Sequence, residues 1–392
     1  MRPEQFTSEV FGHARKHSEG FWCYEPGPLP RTIELEPETQ LALSEADAAL
    51  GRLSGVGGML QEPRLLMRPY AVREALASAR IEGTQASLAE VFQVEAGHVR
   101  PKASDVVEVT SHVRALEEGI SAVTAGLNVT TLRRIHRTLM ADMYRGSEPG
   151  NLRTRPVWIG SPTDHPETAN FVPPVGVSMD RALTDWGEFV SRPPRIPVLV
   201  RVALLHYQFL TIHPFFDGNG RVGRMFILLY LYHQDRISVP LLYLSPYFAR
   251  RRREYYDRLQ AVRERGEIQQ WLQFFLTAVA AQAGDGVTRA RQLFDLREQY
   301  RAQLSGSRSR AVEVVETLFM NPIVTSSRIM EKLQITNQGA LNLIRGLESK
   351  GWLETAGVPG RGGATAWLAS DIYDIIAGDE RVMFEGGTLV DS

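Results

Sequence analysis

The stretch HPFFDGNGRVGR, residues 213–224, decides the interpretation of this sequence. It joins two strongly apolar runs, residues 196–211 and 222–234, which predict buried helices at the centre of a bundle. Gly218, Asn219 and Gly220 can turn successive backbone N–H groups towards one point, because glycine accepts positive φ and close approach. This turn opens directly into a helix N-terminus, where unpaired amides and the helix dipole favour an anion. The stretch therefore predicts a phosphate-binding loop.

Four polar side chains of the same loop suit phosphoryl chemistry. Arg221 and Arg224 are three residues apart, so they share a helix face on which each can bind phosphate oxygens. Asp217 is a hard oxygen ligand of the kind that Mg²⁺ takes when phosphates complete its shell. His213 has an ordinary pKa near neutrality and can deprotonate an attacking hydroxyl. Each feature alone is commonplace, and it is their combination that indicates nucleotide chemistry.

The loop resembles, without a departure, the H-P-F-x-D-G-N-G-R-x-x-R signature of Fic-domain proteins (the Fic/DOC family). The resemblance covers roughly residues 35–290. It implies a protein adenylyltransferase that moves AMP from ATP, with Mg²⁺, to a Ser, Thr or Tyr hydroxyl of a protein, itself included. Relatives of this fold use UTP or GTP, or transfer phosphocholine or phosphate. The intact loop favours nucleotidyl transfer and leaves the base open.

The resemblance also implies a role for each matching residue. His213 would be the general base, Asp217 would hold Mg²⁺, and Arg224 would hold the γ-phosphate. The remaining nucleotide-binding residues of the loop would be Gly218, Asn219, Gly220, Arg221, Val222 and Gly223. A flap that aligns the target segment by strand addition would comprise Val157, Trp158, Ile159 and Gly160. Tyr255 and Tyr256 match positions that line the base and ribose, with ordinary helix packing as the alternative.

An earlier segment, SARIEG at residues 78–83, resembles the [S/T]-x-x-x-E-[G/N] inhibitory motif of the family. Ser78 and Glu82 lie one turn apart on the same helix face. The resemblance implies that Glu82 pairs with Arg224, occupies the place of the γ-phosphate and keeps the enzyme autoinhibited. A glutamate near the metal could also activate water and remove AMP from a modified target, which would be the reverse reaction.

The predicted fold class is mainly α, a Fic-type helical bundle with a small β-hairpin flap and a C-terminal winged helix-turn-helix. The predicted domains are an N-terminal helical region at 1–103 with the inhibitory helix at about 69–83, a catalytic core at 104–290, a linker helix at 291–307 and the winged helix at 308–392. Residues 1–35 predict irregular structure, and Pro69 predicts the first turn of the inhibitory helix. A polar helix over 283–307 would be separate from its predecessor, which ends near 281.

The C-terminal pattern predicts helices over 308–320, 326–333 and 337–350, with Thr336 as an N-cap, then strands 352–354 and 364–368 around a glycine-rich wing at 357–363. The alternative function is therefore a DNA-binding regulator with a nucleotide-sensing core. Residues 308–368 carry a net charge of only +2, which is modest for a duplex reader. A protein-docking or dimerising winged helix is slightly favoured, although Asn337, Gln338, Asn342 and Arg345 could reach base edges.

Composition excludes several other classes of protein and of site. The 44 basic and 45 acidic residues give a formal charge of -1, which argues against a chain-wide nucleic-acid or membrane field. No lysine follows a glycine, so a Walker-type phosphate loop is excluded. The single cysteine, Cys23, excludes an intrachain disulfide and a cysteine zinc site. We expect a cytoplasmic protein and, from the family, a possible homodimer. Five further histidines are scattered along the sequence and are interpreted as structural: His112, His136, His165, His206 and His233.

Overall fold

The computed structural model describes residues 1–59, 64–99, 104–143, 148–160, 165–305, 309–356, 365–378, 382–385 and 388–391. These residues are mostly helical and carry small antiparallel sheets, as the predicted fold class requires. The helices are α1 Pro37–Met59, α2 Arg64–Glu82, α3 Leu88–Glu95, α4 Ser104–Ala122, α5 Val129–Met140, α6 Val177–Ser191, α7 Val198–Ile212, α8 Asn219–His233, α9 Ser245–Arg250, α10 Arg252–Arg265, α11 Ile268–Leu304, α12 Ala311–Met320, α13 Ser326–Leu333, α14 Asn337–Glu348 and α15 Ser370–Ala377. The strands are β1 Gly12–Lys16, β2 Trp22–Pro26, β3 Ile323–Thr325, β4 Glu354–Thr355, β5 Ala366–Leu368, β6 Val382–Glu385 and β7 Thr388–Asp391. None of the described helices is long and apolar enough to cross a membrane.

The chain divides into two compact units, each built from two segments. The first unit comprises Met1–Ser54 and Arg114–Gly284, and it contains α5 to α10 with the loop at residues 213–218. The second unit comprises Gly55–Val113 and Asp285–Ser392, and it contains α2, α3 and the winged helix. The segment with the inhibitory motif therefore belongs to the same compact unit as the winged helix.

The centre of the first unit is the antiparallel pair α7 and α8. Nearly every residue of both helices is buried, which agrees with their almost uninterrupted apolar sequence. Two tryptophans fix α7 from neighbouring helices. The Trp186 indole donates to the Leu205 carbonyl at 2.9 Å, and the Trp271 indole donates to the Ala203 carbonyl at 3.1 Å. The loop between α7 and α8 is thus held at the end of a rigid core.

The prediction of irregular structure over residues 1–35 is wrong in part, because β1 and β2 form a hairpin there. The antiparallel register runs from Gly12 opposite Pro26 to Lys16 opposite Trp22. Cys23 and Tyr24 of β2 enter an apolar cluster with residues that are distant in sequence, among them Phe171 and Val172. Neither strand has a period-2 burial pattern that a sequence would reveal, and the long-range apolar contacts stabilise the hairpin.

Two predicted helix boundaries are also wrong. Pro69 lies inside α2 and not in its first turn. The predicted break near residue 283 is absent, because α11 continues for 37 residues through Gly284 and Gly286. Ala283 and Ala290 are fully buried, so tertiary packing on this part of α11 outweighs the roughly 1 kcal/mol that each interior glycine costs.

The winged helix in the second unit follows the predicted helix order. The Thr336 hydroxyl accepts the Gly339 N–H at 3.2 Å, which confirms it as the N-cap of α14. Thr325 caps α13 in the same way. The sheet has the order β3-β5-β4, in which β3 was not predicted. The predicted wing at residues 357–363 lies outside the described residues.

Candidate active site

The loop after α7 begins with a strained residue. His213 adopts a left-handed backbone conformation with φ of 51°, and its N–H donates to the Phe209 carbonyl at 2.9 Å. A non-glycine residue with positive φ costs free energy and persists only where the surroundings enforce it. The backbone therefore presents the His213 side chain in a conformation that the rest of the site must maintain.

Arg153 supplies that restraint, and sequence reasoning missed it. Its Nε donates to the His213 carbonyl at 2.7 Å, and its Nη2 donates to the carbonyls of Ile212, at 3.1 Å, and Pro174. The backbone N–H of Arg153 donates to the Pro214 carbonyl at 2.9 Å. Arg153 is only 6% exposed and forms no ion pair with a carboxylate of the described residues. A lone arginine between Gly150 and the flap is too weak a signal to identify this role from sequence.

The same neighbourhood sets the ionisation of His213. Burial, followed by the positive charge of Arg153, lowers the pKa of His213 to about 3. Its Nδ1 is buried, and no carboxylate of the described residues orients the ring as in a Ser-His-Asp triad. The imidazole is consequently neutral at pH 7, which is the form that can accept a proton.

Asn219 closes the loop on itself. Its Oδ1 accepts the Phe215 N–H at 2.9 Å, and its Nδ2 donates to the Phe215 carbonyl at 2.8 Å. Phe215 is 1% exposed and stacks on His136 with ring centroids 3.9 Å apart. The Asn219 side chain therefore stabilises the turn, and a ligand at this turn would contact its backbone.

His136 of α5 holds the middle of the loop. Its Nδ1 accepts the Gly150 N–H at 2.8 Å, so the proton of the neutral ring is on Nε2, which contacts the Asp217 carbonyl at 3.0 Å. Burial lowers the pKa of His136 to about 4 and keeps this neutral form. The contact is structural, as the sequence analysis expected for this residue.

The turn into α8 is built for close approach. Gly218 has φ of 76°, and a Cβ at this position would lie 3.1 Å from the Met140 sulfur, so a larger residue would be strained. The first helical hydrogen bond of α8 runs from the Val222 N–H to the Gly218 carbonyl. The N–H groups of Asn219, Gly220 and Arg221 precede that bond and belong to the amide group that a helix N-terminus offers to an anion.

The charged side chains around this turn differ in exposure. Arg221 and Arg224 are each 3% exposed. The Asp217 side chain is 62% exposed, although its Oδ1 contacts the Gly218 N–H and lies 3.4 Å from Arg221 Nη2. Two buried cations beside a helix N-terminus favour an anion strongly, and the accessible carboxylate can take a cation that the anion brings with it.

Ile159, in the segment predicted as the flap, pairs with Phe171 in a single β-bridge, and residues 157–160 form no strand. Ile159 and Phe171 exchange hydrogen bonds of 2.9 and 3.2 Å. The residue that follows, Gly160, has φ of 67°. The N-terminal hairpin supports this segment, since the Tyr24 N–H donates to the Val172 carbonyl at 2.8 Å. Val157 and Trp158 are half-buried, and Trp158 contacts Phe21 edge to face at 5.1 Å.

The two tyrosines of α10 have different surroundings. Tyr255 is fully buried, its hydroxyl hydrogen-bonds His206 Nε2 at 2.8 Å, and its ring stacks on Phe248. Tyr255 is thus a core residue here, which is the packing alternative of the sequence analysis. Tyr256 is 38% exposed, with the Arg252 guanidinium 5.3 Å from its ring centroid.

The residues of the inhibitory motif lie in the second unit. Ser78 is fully buried in α2, and Glu82 is the exposed last residue of that helix. Gly83 follows with φ of 108°, the conformation that ends a helix. The described residues contain no group of three His, Cys, Asp or Glu side chains that could hold a metal ion by themselves.

Comparisons with known families identify three segments. Residues 40–121 match the Fic/DOC family N-terminal model, residues 126–231 match the Fic/DOC family model, and residues 312–368 match a model described as an HTH DNA binding domain. The second match contains the whole loop and the flap, and the first contains Ser78 and Glu82.

The curated relatives are named protein adenylyltransferases. One from Nematostella vectensis is 24% identical over 258 residues, which cover 63% of this chain and 55% of the relative. Those from Caenorhabditis elegans and Caenorhabditis briggsae are 29% identical over 178 residues, 42% of this chain and 32% of the relative. The chain thus spans between a third and about half of the length of these relatives.

Among solved structures, a Fic family protein from Desulfovibrio desulfuricans G20 is similar over 87% of this chain and 98% of its own, with a TM-score of 0.56 and 20% identity. Residues 134–508 of Fic-1 from C. elegans cover 66% of this chain with a TM-score of 0.50 and 18% identity. At such identity these likenesses establish the fold alone.

Proposed function

We propose that this chain, which carries the N-terminal and core domains of the Fic/DOC family, is a protein adenylyltransferase. It would transfer AMP from ATP to a Ser, Thr or Tyr hydroxyl of a protein. The observation that carries the proposal is the neutral His213, whose backbone carbonyl is held by Arg153. His213 lies in the loop that leads directly into the backbone N–H groups and the buried arginines at the start of α8. A base and an anion site on one loop are what hydroxyl attack on a phosphate requires.

The reaction assigned to these residues is a single displacement. The target oxygen attacks the α-phosphorus, and its proton passes to His213 as the new P–O bond forms. The bond from the α-phosphorus to the bridging oxygen breaks, and pyrophosphate leaves. Backbone amides at residues 219–221, with the side chains of Arg221 and Arg224, hold the phosphate oxygens during the displacement.

The Mg²⁺ of the proposed reaction would arrive bound to ATP. Asp217 fits it, because a hard and exposed carboxylate oxygen beside a phosphate site is the usual single protein ligand of Mg²⁺-nucleotide complexes. When bound, the ion neutralises phosphate charge and steadies the leaving pyrophosphate. Of the two tyrosines proposed for the base, Tyr256 has an exposed ring that a nucleotide could contact.

Autoinhibition is the second part of the proposal. Glu82 would pair with Arg224 and take the place of the γ-phosphate, leaving ATP in a non-productive pose. Arg224 is almost fully buried, so a carboxylate that reaches it would be held by a charge-assisted bond. The same glutamate could activate water for the reverse reaction, removal of AMP from a modified protein. Removal by wild type and not by Glu82→Gly would support that direction.

The test of the transfer uses ATP labelled on either phosphate. With the Glu82→Gly chain and Mg²⁺, label on the α-phosphate should appear in protein and label on the γ-phosphate should not. A tagged His213→Ala copy, added as acceptor, reports transfer between copies and thus self-modification in trans. Incorporation of γ-label would assign phosphate transfer instead, and no label on this chain or on lysate proteins would contradict the proposal.

A second candidate function, DNA binding, is favoured by the family match at residues 312–368. Four side chains of α14 that could reach base edges are exposed: Asn337, Gln338, Asn342 and Arg345. We expect a mobility shift of random duplex at low salt that weakens steeply at higher salt, as counterion release requires. Arg345→Glu should abolish the shift, whereas a shift unchanged by that variant would remove α14 from the interface.

A further inference from the structure

A cavity of about 640 Å³ lies beside the loop in the first unit. Its lining includes Arg133, Arg153, Arg155, Glu148 and the loop residue Phe216, and it includes none of residues 217–224. The cavity adjoins the anion site through His136, which contacts the Asp217 carbonyl at 3.0 Å, but its lining comes from residues that precede Asp217.

The charge of this cavity is positive, because three arginines and one glutamate line it. Arg133 donates from Nε to the Gly150 carbonyl at 2.8 Å and from Nη2 to Asn151, and Arg153 donates to backbone carbonyls. Neither these two nor Arg155 forms an ion pair with a carboxylate of the described residues. Burial lowers the pKa of Arg153 to about 10, the direction expected for a cation without a counter-charge. Glu148 alone is acidic among the named lining residues.

Phe216 places an exposed aromatic ring at the rim of the cavity. Its ring is 42% exposed, although its neighbour Phe215 is buried, and the Arg155 guanidinium lies 5.2 Å from its centroid. An exposed aromatic ring held by a cation is a surface for recognition more than for stability. In sequence, Phe216 is three residues after His213, and Arg155 is two residues before the flap residue Val157. The pair thus connects the base to the segment that would align a target.

We propose that this cavity recognises an acidic side chain of the target protein close to the hydroxyl that receives AMP, with Arg155 as the specificity-determining residue and Phe216 as its platform. The inference rests on the proposed function and names its substrate class: hydroxyls in acidic sequence. An exposed, stacked arginine can fork onto a carboxylate without losing its aromatic contact. A target strand added at Val157–Gly160 would carry its flanking side chains towards this rim.

The first experiment measures binding without chemistry. A fluorescent Glu/Tyr peptide and a matched Lys/Tyr peptide are titrated into the chain in the absence of ATP, with anisotropy as the readout. We expect the acidic peptide to bind more tightly and its affinity to fall with salt. Arg155→Glu should weaken it about tenfold, the size expected for losing one charge-assisted contact, and Arg155→Ala by less. Arg195→Glu, which reverses another exposed arginine, is the matched control and should change little.

Three outcomes would overturn the inference. They are equal affinity for both peptides, an Arg155→Glu chain that binds like wild type, and complete competition by inorganic phosphate or a non-hydrolysable ATP analogue, which would assign the cavity to the nucleotide. The second experiment repeats the comparison as AMP transfer to poly(Glu,Tyr) and poly(Lys,Tyr) in the Glu82→Gly background. Absence of transfer by every variant would contradict the proposed function, and the binding result would still decide the inference.

Discussion

Replacing Glu82 with glycine is expected to raise AMP transfer by about ten- to hundredfold. A charge-assisted hydrogen bond in a water-poor site contributes roughly 1.5–3 kcal/mol. In the proposed autoinhibited form Glu82 holds Arg224, which is 3% exposed, so removing the carboxylate would leave that interaction to the γ-phosphate. The measurement is the initial rate of label incorporation from α-labelled ATP, with wild type and variant at equal concentration.

The structure makes this variant a clean test. Glu82 is the exposed last residue of α2, and Gly83 already ends the helix, so glycine at 82 removes little helical structure. Arg80→Gly places a glycine in the same last turn and keeps the carboxylate, so it should not activate. Glu82→Gln keeps the side-chain length without the charge and should lie between the two forms. Equal rates for wild type and Glu82→Gly would refute autoinhibition by this residue.

Replacing His213 with alanine in the Glu82→Gly background is expected to reduce transfer by about 10²- to 10⁴-fold, the usual contribution of a general base. ATP binding should persist, because the amides and arginines of α8 remain. The His165→Ala variant removes an exposed histidine of the same unit and should keep full activity. A His213→Ala chain that retains a tenth or more of the rate would remove His213 from the reaction.

The pH profile gives an independent check on this base. The pKa of His213 lies near 3, because burial and Arg153 disfavour the imidazolium, so the neutral base is present at all pH values well above that. Lowering the pH from 8 to 5 should therefore cause no loss of rate centred near 6.5, the ordinary histidine value. A loss centred there would indicate that the base has an ordinary pKa and is not held in the environment described.

The sequence predicted the parts of the site that are contiguous. The loop from His213 to Arg224 could be interpreted because its glycines, arginines and helix start are neighbours in the chain, and backbone rules act on neighbours. The Thr336 cap of α14 was predictable for the same reason. Arg153 and His136 could not be found in this way. Their function is a set of hydrogen bonds to carbonyls some 60 to 80 residues further along the chain.

The sequence alone thus predicted the resemblance to the Fic/DOC family, the loop proposed for catalysis, the mainly helical fold and the winged helix, since each depends on local pattern. Only the tertiary structure decided that Tyr255 is a core residue, that residues 12–26 form a hairpin beneath the flap, and that α11 continues through Gly284. It also decided that His213 is neutral and strained. The physical reason is the same in each case. Burial and long-range contacts can outweigh local propensity and shift pKa values from their ordinary range, and neither burial nor long-range contacts can be derived from residues that are neighbours in the sequence.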